Sequence, residues 1–259
     1  LPGSLGAVSA AELVKIVKIP GKLHPIQRVP LERLVKMLRQ NQLYVGPFPK
    51  PLSERLAYHK SSQFRWNRAD AHKRQSDWID ARAPVPYELL VATLQHLHST
   101  QPCGPGAILV FLPGWKEIED ARKMIEQSRP LQGSRGVDSG IGYDAQRNGS
   151  VLVYTLHSQM DQSHQRDVFN VPPEGVLKIV LATNIAESSI TIPDVVYVID
   201  SGLQRQRQFD ASTRTAGLEL VAISKESMVQ RQGRAGRIAP GMSISLYSSY
   251  DVSTCLPQS

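Results

Sequence analysis

The sequence has little cysteine and no long apolar run. Its 259 residues include only two cysteines, Cys103 and Cys255, and neither lies at a metal-ligand spacing from other candidate ligands. A disulfide framework and a metal site are therefore not expected, and the chain fits a reducing, intracellular compartment. The longest apolar runs, such as Ala107–Leu112, have the length of one buried strand. A membrane span is excluded, because it requires about 18 or more consecutive apolar residues.

Two short motifs of phosphate chemistry are also missing. No Gly-x-x-x-x-Gly-Lys-Ser/Thr stretch occurs, so the chain has no phosphate-cradling loop with its lysine. No Asp-Glu-x-His run follows a predicted strand, so no paired carboxylates are placed to hold Mg²⁺. Because nucleoside triphosphate hydrolysis needs both parts, such chemistry would require a second protein surface.

Positive charge is concentrated in the first part of the chain. Lys and Arg number 30 against 23 Asp and Glu, which gives a formal net charge of +7. Residues 1–100 hold 15 of the basic and 7 of the acidic side chains. Such a surplus suggests either a polyanionic partner or a merely solvated face, and charge alone does not decide between them.

The hydrophobic pattern predicts an α/β domain over residues 87–250. Runs rich in Val, Ile and Leu predict buried strands at 107–112, 151–156, 177–182, 195–199 and 242–247. Predicted helices lie near 87–97, 116–127, 162–169 and 226–234. Continuous apolar strands separated by helices indicate a doubly wound parallel sheet with helices on both faces.

The remaining segments fit this pattern less well. Residues 14–19 alternate apolar and basic positions, which predicts a first strand within the segment 1–30. Residues 31–86 are predicted to form a basic insertion or arm with one amphipathic patch. The Gly- and Ser-rich stretch 128–150 is predicted to be a mobile loop, and 251–259 a tail.

The densest cationic motif is Gln230-Arg-Gln-Gly-Arg-Ala-Gly-Arg237. On a helix, Gln230 and Arg234 would lie one turn apart, as would Arg234 and Arg237. Gly233 and Gly236 each lower the stability of a helix by about 1 kcal/mol relative to alanine, so a purely structural helix would gain nothing from them. Guanidinium groups match phosphate oxygens in a bidentate way. The motif therefore predicts a site for a phosphate chain; the alternative is a basic, solvated turn.

Polar residues follow two of the predicted strands. Thr183 and Asn184 open the run that follows one strand, and His157 and Ser158 follow another. The carboxyl ends of parallel strands are where open α/β sheets bind ligands. The alternatives are an ordinary helix cap for the Ser and Thr residues and a structural role for the lone histidine.

Together these motifs resemble motifs IV, IVa, V and VI of the DEAH-box/RHA family of RNA helicases. The runs that carry the resemblance occur in the family's order and are Leu109–Gly114, Leu156–Ser158, Ala182–Ile192, Asp200–Gly202 and Gln230–Arg237. In addition, Ile19–Pro25 resembles the strand by which the chain enters the second RecA-like lobe in that family. The resemblance implies the second RecA-like lobe of a longer, ATP-dependent helicase that translocates on RNA, with ATP held between two lobes.

The resemblance also implies residue roles. Contacts to the triphosphate would come from Gln230, Arg234 and Arg237, with the arginines acting as fingers. Phe169 would cover one face of the adenine. The remaining nucleotide contacts would come from Thr191, Asp194 and Gly233. Contacts to RNA would come from Gly114, His157, Ser158, Thr183 and Asn184, and residues 204–220 would form a β-hairpin placed against the duplex. Pro193 stands where many members carry an aspartate, and Ser188 where a threonine is usual.

The implied cofactors are ATP and Mg²⁺, the latter bound mainly by the first lobe outside this segment. The implied partners are RNA, that first lobe and a ribonucleoprotein complex, with no membrane; nucleus, cytoplasm and mitochondrion fit equally well. The segment alone is expected to be inactive, and Arg234→Ala in the longer protein is expected to abolish hydrolysis with the fold intact. Two alternatives stay open: a DNA translocase, and a catalytically inactive RNA-binding scaffold to which the basic, aromatic tract 60–74 would contribute.

Overall fold

The computed structural model describes residues 24–63, 83–100, 106–128, 131, 135–136, 151–158, 160, 166–173, 175–210 and 215–258. Its strands are β1 (Ile26–Val29), β2 (Ala107–Phe111), β3 (Arg135–Gly136), β4 (Val151–Leu156), β5 (Leu177–Ala182), β6 (Val195–Asp200), β7 (Leu203–Asp210), β8 (Thr215–Ala222) and β9 (Gly241–Ser245). Its helices are α1 (Leu31–Gln40), α2 (Leu52–Gln63), α3 (Tyr87–Thr100), α4 (Trp115–Gln127), α5 (Ile185–Ser188), α6 (Lys225–Gln232) and α7 (Ser249–Thr254).

Seven strands form one parallel sheet in the order β1-β9-β6-β2-β5-β4-β3. Alternate residues of the central strand β2 enter different cores: Ile108 and Val110 pack on one face of the sheet, Leu109 and Phe111 on the other. Both faces are apolar because both are covered, which explains the continuous Val, Ile and Leu runs. The predicted parallel α/β fold is confirmed.

The two faces are covered unequally in the part of the chain described. The first face packs against α1, α3 and α4, whose apolar residues join the larger core cluster. The second packs against Ala186 of the four-residue α5, and against Val168, Ile192 and Ala235 from irregular segments. Among the described residues, helices of 10 to 14 residues therefore cover one face, whereas the other is covered by shorter segments.

Residues 31–63 of the predicted insertion or arm form two helices that pack into the lobe. The amphipathic patch lies on α1, where Leu34 and Leu38 are fully buried in the main core. On α2, the buried Arg55 donates hydrogen bonds to the main-chain carbonyls of Pro84 and Leu246, at 3.0 and 3.2 Å. These helices are part of the lobe, because their buried partners come from distant segments that a local pattern does not reveal.

The predicted tail is also packed into the lobe. Residues 249–254 form α7, whose capping box joins Ser248 to Asp251. The buried carboxylate of Asp251 accepts a hydrogen bond from the Leu52 main-chain nitrogen at 2.8 Å, which ties α7 to α2. The charged side chain of Asp251 therefore joins two helices and is not a solvated surface group.

Other expectations are met or lie outside the described residues. The predicted hairpin is confirmed as the antiparallel pair of β7 and β8. The predicted strand at 14–19 lies outside the described residues, as do most of 128–150 and 161–165 of the predicted helix at 162–169. No helix among the described residues is long and apolar enough to cross a membrane.

Gly202 is the point where the hairpin leaves the sheet, and alanine is not expected to be tolerated there. Its φ is +77°, and a Cβ atom would overlap the fully buried ring of Tyr247. We expect Gly202→Ala to lower the free energy of unfolding by about 1–3 kcal/mol through overpacking. Chemical denaturation measures this change. Gly217→Ala is the matched control, since nothing lies within 4 Å of its added Cβ; equal stability of the two variants would contradict the prediction.

Candidate functional site

Three of the sequence-predicted groups meet at the carboxyl edge of the sheet. The strands β2, β5 and β4 are neighbours, and hydrogen bonds between main-chain atoms continue beyond their ends. The Leu112 nitrogen donates to the Ala182 oxygen at 2.8 Å, and the Thr183 nitrogen donates to the Leu156 oxygen at 3.1 Å. The structure thus brings together the loops that carry Gly114, His157 with Ser158, and Thr183 with Asn184, as parallel strand ends require.

Gly114 lies where two side chains from different elements meet. It is buried at the start of α4, and an added Cβ would lie 2.6 Å from Arg205 Nε. Arg205 comes from β7 and its Nη2 lies 2.8 Å from Glu117 Oε1 on α4. A larger residue at this position would displace the Arg205 and Glu117 side chains, whose ion pair joins the hairpin to the edge of the sheet.

An aromatic pair that sequence reasoning missed lies at the same edge. The Trp115 and His157 ring centroids are 4.4 Å apart, with an interplanar angle of 48°. Trp115 remains 43% exposed. The only sequence signal was that Trp115 directly follows Gly114; its proximity to His157 depends on the strand order.

The arginine motif meets the segment that follows β5. Arg234 donates to the main-chain carbonyl of Ile190 at 3.3 Å and to that of Glu187. Arg237 Nη1 donates to Thr191 Oγ1 at 2.7 Å. The chain therefore folds so that two motifs more than 40 residues apart form one surface.

The two arginines of this surface differ in exposure. Arg234 is 8% exposed, whereas Arg237 is exposed. Burial lowers the pKa of Arg234, and the nearby charge of Arg237 lowers it further, against the opposing effect of Glu187. Because the charge of Arg237 disfavours the charged form of Arg234, an anion bound between them would improve the electrostatics of the site.

Gln230 and Gly233 lie next to this surface at the end of α6. Gln230 is exposed, and its Nε2 donates to Glu226 Oε1 at 3.4 Å on the same helix. Gly233 is the C-cap residue, with its Cβ position 3.3 Å from the Gln230 carbonyl oxygen. The amide of Gln230 thus faces solvent in the last turn of α6, and the two arginines follow beyond the end of the helix.

The third arginine of the motif, Arg231, has a different role. Its side chain is fully buried, with Nε 3.0 Å from Glu187 Oε2 and Nη1 2.9 Å from Asp200 Oδ1. Its guanidinium carbon also lies 4.9 Å from the centre of the Phe111 ring. Burial acts to lower the pKa of Arg231, but the charges of Asp200 and Glu187 outweigh burial and raise it. Arg231 is a structural cation, which its position in the motif does not reveal.

The remaining predicted nucleotide residues, Phe169 and Asp194, lie near the amino ends of β5 and β6, on the sheet face that Val168 and Ile192 cover. Phe169 is 39% exposed in a short turn. The fully buried Lys178 donates to the neighbouring Asn170 carbonyl at 2.9 Å and to both oxygens of Asp194 at 3.0 and 3.1 Å. Burial lowers the pKa of Lys178, and the bonds to Asp194 oppose this shift. The Asp194 carboxylate is thus held in an internal ion pair, which positions the turn that carries Phe169.

Residues 91–239 match the family model described as the helicase conserved C-terminal domain. The chain belongs to this family. Its relatives include the ATP-dependent RNA helicase DHX30 of Homo sapiens, which is 29% identical over 90% of this chain and 16% of its own length. The putative ATP-dependent RNA helicase DHX57 of Homo sapiens is 43% identical over 56% of this chain and 10% of its own length. This helicase domain thus spans a small part of the relatives that it matches.

The fold of this helicase domain is similar to solved helicase structures. The E. coli DExH-box NTPase HrpB has a TM-score of 0.58 and 27% sequence identity, over 92% of this chain and 21% of the HrpB chain. The DExH-box ATP-dependent RNA helicase DExH6 of Arabidopsis thaliana is 42% identical over 63% of this chain and 12% of its own length.

Proposed function

We propose that this helicase C-terminal domain is the second motor lobe of a longer, ATP-dependent RNA helicase. In that protein it supplies arginines to a nucleotide held against a first lobe, and a contact surface for the RNA backbone. The observation that carries the proposal is the junction in which Arg237 binds Thr191 and Arg234 binds the Glu187 and Ile190 carbonyls. This junction gathers cationic and hydroxyl donors on one surface, over the sheet face that Ile192 and Ala235 cover.

The donor set fits a triphosphate. Arg237, Gln230 and Thr191 are exposed and offer guanidinium, amide and hydroxyl groups, the donors that bind phosphate oxygens. The exposed ring of Phe169 offers an apolar face that suits an adenine base. Within the described residues, no group of three or more His, Cys, Asp or Glu side chains could hold a metal ion, and we assign Mg²⁺ mainly to the first lobe.

ATP bound there supplies a phosphoryl group whose transfer to water releases free energy. Arg237 would stabilise negative charge on the phosphate oxygens, because its exposed guanidinium presents a planar set of donors that matches them. Arg234 holds the Glu187–Ile190 turn in place by donating hydrogen bonds to its carbonyls. Its buried guanidinium also adds positive potential to the site. Thr191 orients the Arg237 fork through its hydroxyl oxygen.

The RNA contacts lie on the adjacent loops. Asn184 and Ser158 are exposed at the strand ends, and Thr183 is partly exposed between them. Their amide and hydroxyl groups can bind phosphate and sugar oxygens, contacts that position a strand without reading its sequence. Because α5 begins directly after Asn184 and contains Glu187, whose carbonyl binds Arg234, closure around a nucleotide would couple the RNA contacts to the arginines.

The isolated 259-residue chain should bind ATP weakly and hydrolyse none, because it lacks a phosphate-cradling lysine and paired carboxylates. The longer protein should hydrolyse ATP, with turnover stimulated by RNA. Steady-state phosphate release measures both. Turnover by the isolated chain would contradict the two-lobe proposal, whereas RNA binding without any turnover in the longer protein would favour an inactive ribonucleoprotein scaffold.

A further inference from the structure

We infer that Trp115 is a further RNA-binding residue, whose indole stacks on a nucleotide of a single strand that crosses the carboxyl edge of the sheet. The inference rests on the proposed RNA-binding role of that edge. It adds a contact of a different kind, because stacking acts on the flat face of a base or ribose, whereas Thr183 and Asn184 offer only polar contacts.

The position of Trp115 places it within the group of proposed RNA contacts. It is the first residue of α4, directly after Gly114, whereas its ring partner His157 follows β4. The strand β5 lies between β2 and β4, so the ring pair spans the end of the strand from which Thr183 and Asn184 emerge. An indole at this place lies next to any strand that those residues bind.

The exposure of Trp115 is what folding alone does not explain. Trp115 is 43% exposed, whereas the apolar residues Ile118 and Ile125 of the same helix are fully buried. Its contact with His157 restricts the ring while the rest of the indole stays open to solvent. A restricted aromatic loses little rotamer freedom when a base stacks on it, so stacking there is favourable.

The chemistry of stacking suits a motor that moves along a strand. Every base has a π-face, so a stacking contact tolerates any sequence, as a translocating protein requires. Truncating such an aromatic weakens single-strand binding by about tenfold, because a stacked base contributes about 1–3 kcal/mol. The effect should be independent of salt, since no counterion is released when rings stack.

The test measures the affinity of the longer protein for a labelled single-stranded oligouridylate at several salt concentrations. We expect Trp115→Ala to raise Kd about tenfold with the salt slope of log Kd unchanged, and Trp115→Phe to restore most of the affinity. Phe48→Ala is the matched control, because Phe48 is also 43% exposed but lies between α1 and α2. Thermal melting confirms that all variants are folded.

Each other outcome overturns a stated part of the argument. An unchanged Kd for Trp115→Ala, with weaker binding by Asn184→Ala, would overturn the stacking role and leave the proposed function intact. A reduced salt slope for Trp115→Ala would also overturn it, since the loss would then lie in phosphate contacts. Unchanged binding by Trp115→Ala, Asn184→Ala and Thr183→Val together would overturn the RNA-binding role of the edge itself.

Discussion

Replacing Arg237 by alanine is expected to lower the kcat for ATP hydrolysis by the longer protein about a thousandfold or more, the contribution of arginine fingers to phosphoryl transfer. Arg237 is exposed and its side chain contacts Thr191 Oγ1, so little of the fold depends on it. The variant should therefore melt at the same temperature as the unmodified protein. The measurement is RNA-stimulated phosphate release at saturating ATP.

Two control variants make the Arg237 experiment specific. Arg237→Lys keeps the charge but loses the planar fork, so it should recover only part of the rate. Arg33→Ala removes an exposed arginine from α1 and should leave kcat unchanged. A near-normal kcat for Arg237→Ala would count against the arginine-finger role and for the scaffold alternative.

Arg234→Ala is a less specific test than the motif suggests. Arg234 is 8% exposed, and its removal would leave the Glu187 and Ile190 carbonyls without their guanidinium donor. Loss of activity in this variant would combine lost charge stabilisation with a displaced turn. The expectation that the fold stays intact therefore needs a stability measurement beside the kinetic one.

Replacing Arg231 by methionine is expected to lower the free energy of unfolding by about 3–5 kcal/mol, the cost of breaking a buried ion pair from one side. Asp200 and Glu187 would lose the cation that compensates them in an almost dry environment. A loss of this size is a large part of the stability of a typical domain. Urea denaturation of the 259-residue chain measures it.

The matched control for Arg231→Met is Arg237→Met, which removes an exposed arginine from the same motif and should change stability little. Adding Glu187→Gln to Arg231→Met should recover part of the loss, with a coupling energy of about 0.5–3 kcal/mol. If Arg231→Met unfolds at the same urea concentration as Arg237→Met, the structural role of Arg231 is wrong.

Five strands, β2, β4, β5, β6 and β9, followed from local pattern, whereas β1 and β3 did not. A strand that is buried on both faces of a parallel sheet is apolar at nearly every position, as in Leu177–Ala182. The continuous apolar run was therefore sufficient to find it. The helix at 31–40 was visible as an amphipathic patch, but its membership of the core was not. Its partners, such as Tyr247, are more than 200 residues away.

The functional groups of the site were also visible in the sequence, namely arginines, hydroxyls and an amide. The sequence also showed that the phosphate-cradling loop with its lysine is missing. What the sequence left undetermined was the division of labour among Arg231, Arg234 and Arg237, which occupy one short run. Folding places Arg231 beside Asp200 in the dry interior, buries Arg234 against main-chain carbonyls and leaves Arg237 in solvent. Residue type fixes the charge, but only the long-range packing of strand ends fixes where each charge is desolvated.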